Sequence, residues 1–262
     1  MSDSIKILSI DIETSPILAD VWNLWKQNVG LNQIRKNGYI MTYAAKFLDE
    51  DYVYYDSCRD EGPREEKRLL KTLKGLLNKA DVVVAHNGDN FDLKWIRAQM
   101  VFHGLKPFPP IKQVDTLKIA KQQFRFHSNR LEFLANFLGC APKKKHEKFP
   151  GHELWTECTL GNQEAWDEML EYNIQDVLTL EEVYLKLRPW TKGGALAPNL
   201  GINEEGHVCP KCGGRHVQRR GYSYTNVSKF QRYRCKDCGG WSRGRTNLIE
   251  KGRRKSLLTN VT

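Results

Sequence analysis

Between Asp11 and Asp176 the chain carries four carboxylates and a tyrosine whose spacing suits a site for divalent cations: Asp11-x-Glu13, Asn87-x-x-x-Phe91-Asp92 and Tyr172-x-x-x-Asp176. Two carboxylates side by side push one pKa up unless a cation sits between them. Carboxylate oxygens suit hard ions such as Mg²⁺ or Mn²⁺. A pair of such ions roughly 4 Å apart supplies what hydrolysis of a phosphodiester needs, a hydroxide-like nucleophile and relief of charge on phosphorus and the leaving oxygen. Tyrosine titrates near pH 10, so Tyr172 is a poor general base at neutral pH; a hydrogen bond to the attacking water is its expected part.

The elements that must position these groups are readable in outline. Asp11 and Glu13 lie in Ile5-Lys6-Ile7-Leu8-Ser9-Ile10-Asp11-Ile12-Glu13-Thr14-Ser15-Pro16, a β-branched run closed by proline. It predicts a buried strand with both acids on one face. Asp81-Val82-Val83-Val84-Ala85-His86-Asn87 reads as an apolar strand entering a polar turn. Phe91-Asp92-Leu93-Lys94-Trp95-Ile96 then opens a helix, with Asp92 at the N-terminal end, where negative charge is favoured. From Trp166 to Leu180 apolar positions recur at three and four, so Tyr172 and Asp176 share one helical face.

These three segments resemble the DEDD superfamily of 3′-to-5′ exonucleases in its tyrosine subtype, most of all the proofreading domains of family-B DNA polymerases, over residues 1–190. The resemblance implies an α/β, ribonuclease-H-like fold, a mixed central sheet with helices on both faces. It also implies that Asp11, Glu13, Asp92 and Asp176 hold two Mg²⁺ or Mn²⁺ and that Tyr172 orients the attacking water.

Each motif alone has a plainer reading. Asp-x-Glu can be a strand running into an acidic turn, Asp92 a helix N-terminal residue, and Tyr172 with Asp176 one helix face with a solvated acid. Asp115, before Thr116-Leu117-Lys118-Ile119-Ala120, reads as an N-cap rather than a fifth ligand. His86 and Asn87 are candidates for substrate contact, or else a loop histidine and a turn asparagine. Phe91 is a candidate base-stacking ring, although a place in the core is the favoured reading.

Four of the seven cysteines form Cys209-x-x-Cys212 and Cys235-x-x-Cys238, with 22 residues between the pairs. Each pair is followed by Gly-Gly, which permits the tight turn that brings two thiolates to one ion. The pattern is that of a zinc ribbon, and four thiolates close a tetrahedron around one structural Zn²⁺. Cys58, Cys140 and Cys158 have no such spacing and read as buried or incidental thiols.

Charge is uneven. From Gly206 onward there are fourteen Lys and Arg against Asp237 and Glu250, whereas residues 1–205 carry 27 cations against 29 acids. The whole surplus of +10 therefore belongs to the C-terminal part. There Arg219, Arg220 and Tyr222, and then Arg232 and Arg234 around Tyr233, interleave cations with aromatics, a mix suited to phosphate contact and stacking on unpaired bases. The ribbon also resembles those of transposases and phage DNA-metabolism proteins. A solvated basic face is the plainer alternative.

The resulting layout is a nuclease domain over 1–190, a Gly/Asn/Pro-containing linker over 191–206, the ribbon over 207–245 and a disordered basic tail over 246–262. Two further segments are candidate substrate contacts. One is the insertion from Thr14 to Gly38 with Trp22, Trp25, Lys26, Arg35 and Lys36, although tryptophans packed on a surface loop are the favoured reading. The other is the basic run Lys143 to Lys148. No signal peptide or membrane-length apolar stretch is visible, so the expectation is a soluble protein of the cytoplasm, the host's if phage-encoded.

The expected function is metal-dependent 3′-to-5′ hydrolysis of DNA, with the ribbon tethering nucleic acid and a separate polymerase or recombination protein as a possible partner. An exoribonuclease or structure-specific endonuclease of the same fold, and an inactive nucleic-acid-binding adaptor, stay open as alternatives.

Overall fold

The apolar run around Asp11 forms the strand that its β-branched residues predict, β1 (Ile7–Thr14). After it come β2 (Leu18–Ala19), β3 (Ile34–Lys36), β4 (Ile40–Phe47), β5 (Tyr54–Ser57), α1 (Glu66–Leu77), β6 (Val82–Ala85), α2 (Asp92–Phe102), β7 (Lys112–Asp115), α3 (Thr116–Gln123), α4 (Leu131–Leu138), α5 (Glu153–Thr159) and α6 (Gln163–Leu187). The computed structural model describes residues 5–23, 25–26, 28–141, 147–192 and 199–259. The chain divides into two compact units, Lys6–Tyr184 and one that begins at Leu185.

In the first unit five strands form one mixed sheet in the order β5-β4-β1-β6-β7. β4 runs antiparallel to β1 and β5, while β6 is parallel to β1 and β7. The central strands have no solvent face. All of β4 and all of β6 are buried, which is why Val82-Val83-Val84-Ala85 reads as a continuous apolar run and not as an alternation.

Period two along β1 sorts its residues between two layers. Leu8, Ile10 and Ile12 enter the main core with Leu69, Leu70 and Leu73 of α1, Leu93, Ile96 and Met100 of α2, and Trp166 and Met169 of α6. The leucines of α1 recur at the three-to-four spacing of a helix that buries one stripe, and each fully buried leucine contributes about 1.5–3 kcal/mol. Ser9, Asp11 and Glu13 point the other way, opposite Lys46, Ala44 and Thr42 of β4. Later turns of α6 cover that face: Glu181 accepts from the buried Lys46 ammonium at 2.8 and 2.9 Å. One long helix thus supplies apolar side chains to one layer and polar partners to the other.

The second unit holds a three-stranded antiparallel sheet, β8 (Val217–Thr225), β9 (Ser228–Cys235) and β10 (Trp241–Asn247), in the order β10-β9-β8. A short helix, α7 (Lys251–Lys255), follows in the segment expected to be a disordered tail. Of the expected linker, 193–198 lie outside the described residues. Further on, the Leu200 N–H donates to the Pro210 carbonyl at 2.9 Å and Arg215 pairs with Glu204, so 199–206 is bonded to the ribbon.

Candidate active site

Asp11 and Glu13 sit near the end of β1, and the register against β4 slips between Glu13 and Thr14. Such irregularities end pairing and re-aim side chains. Asp176 arrives from α6, and one carboxylate oxygen each of Asp11, Glu13 and Asp176 lie within 4.8 Å of one another. Three acids so close, all offering oxygen, fit one or two hard divalent cations and would repel strongly otherwise.

Asp92 is placed differently. It stands at the first position of α2 and is buried, and its Oδ1 accepts the Ile12 N–H at 3.2 Å, between the two acids of β1. Burial is the main cause that raises its pKa to about 7; two backbone donors oppose the shift and the charge of Asp115 adds to it. It is not among the three clustered acids. This fourth carboxylate nevertheless backs directly onto the strand that carries Asp11 and Glu13.

Two side chains not singled out in the sequence hold this cluster. Asn173 is buried, and its Nδ2 donates to Asp11 Oδ2 at 2.6 Å. It lies three residues before Asp176 on the same helix face, a spacing that was available as a signal. Trp155 of α5 donates from Nε1 to Glu13 Oε2 at 3.2 Å, and its ring meets Tyr172 edge-on at 6.1 Å. No local pattern marks it, because its partner is 142 residues away in sequence. Trp155 also lines, with Thr14, Pro16 and His152, a cavity of about 380 Å³ beside Glu13.

Around the β6–α2 turn, Asp115 is the N-cap of α3, accepting from Leu117 and Lys118, and it also takes the Asn87 N–H at 2.9 Å. That last bond holds Asn87 at φ +69°, a left-handed conformation uncommon for a side chain larger than glycine. His86 is tied through Nδ1 to Thr116 Oγ1 at 2.8 Å and through Nε2 to the Asn129 carbonyl at 2.9 Å, so both ring nitrogens serve the fold. The favoured reading of Phe91 as a core residue is corrected: it is 37% exposed at the turn before α2, with Trp95 at its flank.

The reading of Trp22 and Trp25 as packed rings is corrected: they are 93% and 83% exposed. Both lie between β2 and β3, and neither belongs to the buried core cluster. Of the basic run, 143–146 lie outside the described residues, and Lys148 pairs with Glu164 at 3.0 Å. Cys58 and Cys158 are core thiols whose pKa burial raises, that of Cys158 to about 12.

In the second unit Cys209, Cys212, Cys235 and Cys238 converge, with Sγ–Sγ separations of 3.7 Å for Cys209–Cys238 and for Cys212–Cys235. A tetrahedron with Zn–S bonds of about 2.3 Å has edges of roughly 3.8 Å, whereas a disulfide would need about 2.05 Å, so the four sulfurs fit one zinc. The knuckles are built alike. Gly214 and Gly240 donate N–H to Cys212 and Cys238 Sγ at 3.4 Å, after Gly213 and Gly239 with φ of +75° and +72°. No helix among the described residues is long and apolar enough to cross a membrane.

The model of the RNase H superfamily matches residues 29–188. No curated protein sequence matches. Among solved structures the chain is similar to the family B DNA polymerase from the hyperthermophilic archaeon Pyrobaculum calidifontis, with 14% identity and a TM-score of 0.52 over 86% of this chain and 32% of the polymerase. The chain thus spans about a third of that polymerase, and at this identity the likeness is one of fold.

Proposed function

Because this chain belongs to the RNase H superfamily, we propose that it is a nuclease of the DEDD tyrosine subtype that removes nucleotides from the 3′ end of DNA with two Mg²⁺ or Mn²⁺. The observation that carries this reading is the convergence of Asp11, Glu13 and Asp176 within 4.8 Å at the end of a buried strand. Divalent cations bound there supply a water of lowered pKa and offset the charge that develops on phosphorus and the leaving oxygen. The rest is the work of the chain. Asp11, Glu13 and Asp176 hold the ions, and Asp92 adds a carboxylate behind β1. Tyr172, its ring set against Trp155, directs its hydroxyl to the attacking water. Trp155 and Asn173 keep Glu13 and Asp11 in one orientation through their N–H groups.

The four cysteines hold one structural zinc, and the ribbon it stabilises tethers nucleic acid, raising the local concentration of chain ends. A linear single-stranded DNA labelled at its 5′ end, beside a circular one of the same sequence, tests the exonuclease part. A ladder that shortens from the 3′ end while the circle survives is the expected result; a nicked circle would make the enzyme an endonuclease.

A further inference from the structure

The cations of the ribbon are not spread evenly over its sheet. Antiparallel register puts Gln218 opposite Arg234, Arg234 opposite Trp241 and Arg232 opposite Arg243, so these residues share one face, with Phe230 opposite Asn247 further along. Arg220 joins them: the ladder slips between Arg219 and Tyr222, and the Arg220 Nη2 reaches Gln218 Oε1 at 3.4 Å. Arg219 and Tyr222 stand opposite Tyr233 and Gln231 on the other face, where Tyr233 and the clustered Cys235 are buried. The interleaved run of cations and aromatics therefore divides between two faces, the second of which sets the Lys229 ammonium 3.8 Å from the Tyr222 ring centre.

The first surface presents four exposed arginines, Arg220, Arg232, Arg234 and Arg243, and among the described residues none that the register places on this face is an acid. Two lie over rings: the Arg232 guanidinium carbon is 4.8 Å from the Trp241 ring centre and that of Arg243 is 4.0 Å from the Phe230 ring centre. Guanidiniums held over rings lose less freedom on meeting a phosphate, and arginine and aromatic side chains both offer faces on which an unpaired base can stack. Trp241, with Arg232 over its ring, remains 46% exposed. Across the three-stranded face, cations beside rings match a chain that offers both phosphates and open base faces, whereas a duplex keeps its base faces stacked inside.

We infer that this face, made by Arg220, Arg232, Arg234, Arg243 and Trp241, is the docking surface for single-stranded DNA. The inference rests on the reading of the chain as an enzyme that acts on nucleic acid, and it assigns the contact to one side of the ribbon, leaving Arg219 and Tyr222 out.

The test is fluorescence anisotropy with a labelled 20-mer single-stranded DNA, its duplex and the matching RNA. The 262-residue chain carries Asp176→Asn so that hydrolysis is too slow to consume substrate during the reading. Replacing Arg232, Arg234 and Arg243 by Ala weakens binding at least tenfold and lowers the slope of log affinity against log salt by about 2, the loss of three contacts at ~0.7 each for a single strand. The same three positions changed to Lys keep the slope and lose preference for the single strand over the duplex. Arg219→Ala with Tyr222→Ala leaves affinity within about twofold. Zinc content, one per chain, reports on an intact ribbon in each variant. Unchanged affinity of the Lys and Ala triples, an equal loss in the Arg219/Tyr222 pair, or tighter binding of duplex or RNA overturns the inference. Failure of the wild-type chain to hydrolyse DNA would instead strike the nuclease reading, because anisotropy reads binding alone.

Discussion

Asn173 donates to Asp11 Oδ2 at 2.6 Å from the position between Tyr172 and Asp176 on one helix. The residue that fixes the first acid therefore moves rigidly with the tyrosine and with the last acid. Replacing Asn173 by Ala leaves a half-buried carboxylate without this donor, at a cost of about 1–3 kcal/mol. Orientation of a ligand is lost as well, and such partners typically contribute 10–100-fold in metal affinity or activity. A lower denaturation midpoint together with a higher Mn²⁺ concentration for half-maximal hydrolysis is the expected pair of results. A stability loss with an unchanged Mn²⁺ dependence would make Asn173 merely structural.

Trp155 separates two contributions. Trp155→Phe keeps a ring against Tyr172 and removes the N–H that reaches Glu13. The rate at saturating Mn²⁺ should fall about tenfold, with the thermal midpoint nearly unchanged because the ring still fills its place. Trp155→Ala should lose both the rate and about 2 kcal/mol or more of stability. Steady-state kinetics beside calorimetry distinguishes the two variants.

How much of this was legible in the sequence depends on whether a signal is local. The strand of Asp11 and Glu13, the helix face of Tyr172 and Asp176, the N-cap at Asp115 and the cysteine knuckles all follow from spacings of two to four residues, and the structure folds each as its spacing predicts. Trp155 was not legible, because its contact closes over 142 positions. Asp92 was legible as a helix start but not as a carboxylate turned to the Ile12 amide and set apart from the other three. In the ribbon, the alternation of Arg232, Tyr233 and Arg234 already puts the tyrosine on the opposite side from the arginines. The slip between Arg219 and Tyr222, which sends the neighbouring Arg220 to the arginine face, depends on pairing and leaves no mark in composition.

Lys46 and Glu181 form a pair whose side chains are 9% and 15% exposed, and it ties β4 to α6 on the face that carries the acids. Removing one partner strands the other charge, at about 3–5 kcal/mol. Glu181→Ala should therefore unfold at markedly lower urea than the wild type, and Lys46→Met with Glu181→Leu should recover most of the loss. A Glu181→Ala protein as stable as wild type would show that water reaches the ammonium.

The cysteine cluster predicts one zinc per chain. Cys235→Ser removes one of four thiolates from a closed site and should lower zinc content well below one, loosening β8–β10 while the first unit keeps its own core. Elemental analysis combined with hydrogen exchange checks both halves. Full zinc occupancy in the variant would contradict the four-sulfur site.

The central claim is that Asp11, Glu13 and Asp176 hold the ions that make hydrolysis possible. Its most direct test is the time course of a 5′-labelled single-stranded DNA with Mn²⁺, comparing the wild-type chain with Asp176→Asn, a change that preserves shape and removes charge. Losing a charged ligand removes several kcal/mol of transition-state stabilisation, so the variant should be slower by about 10³ or more while still binding the DNA. Wild-type rates from Asp176→Asn would contradict the account.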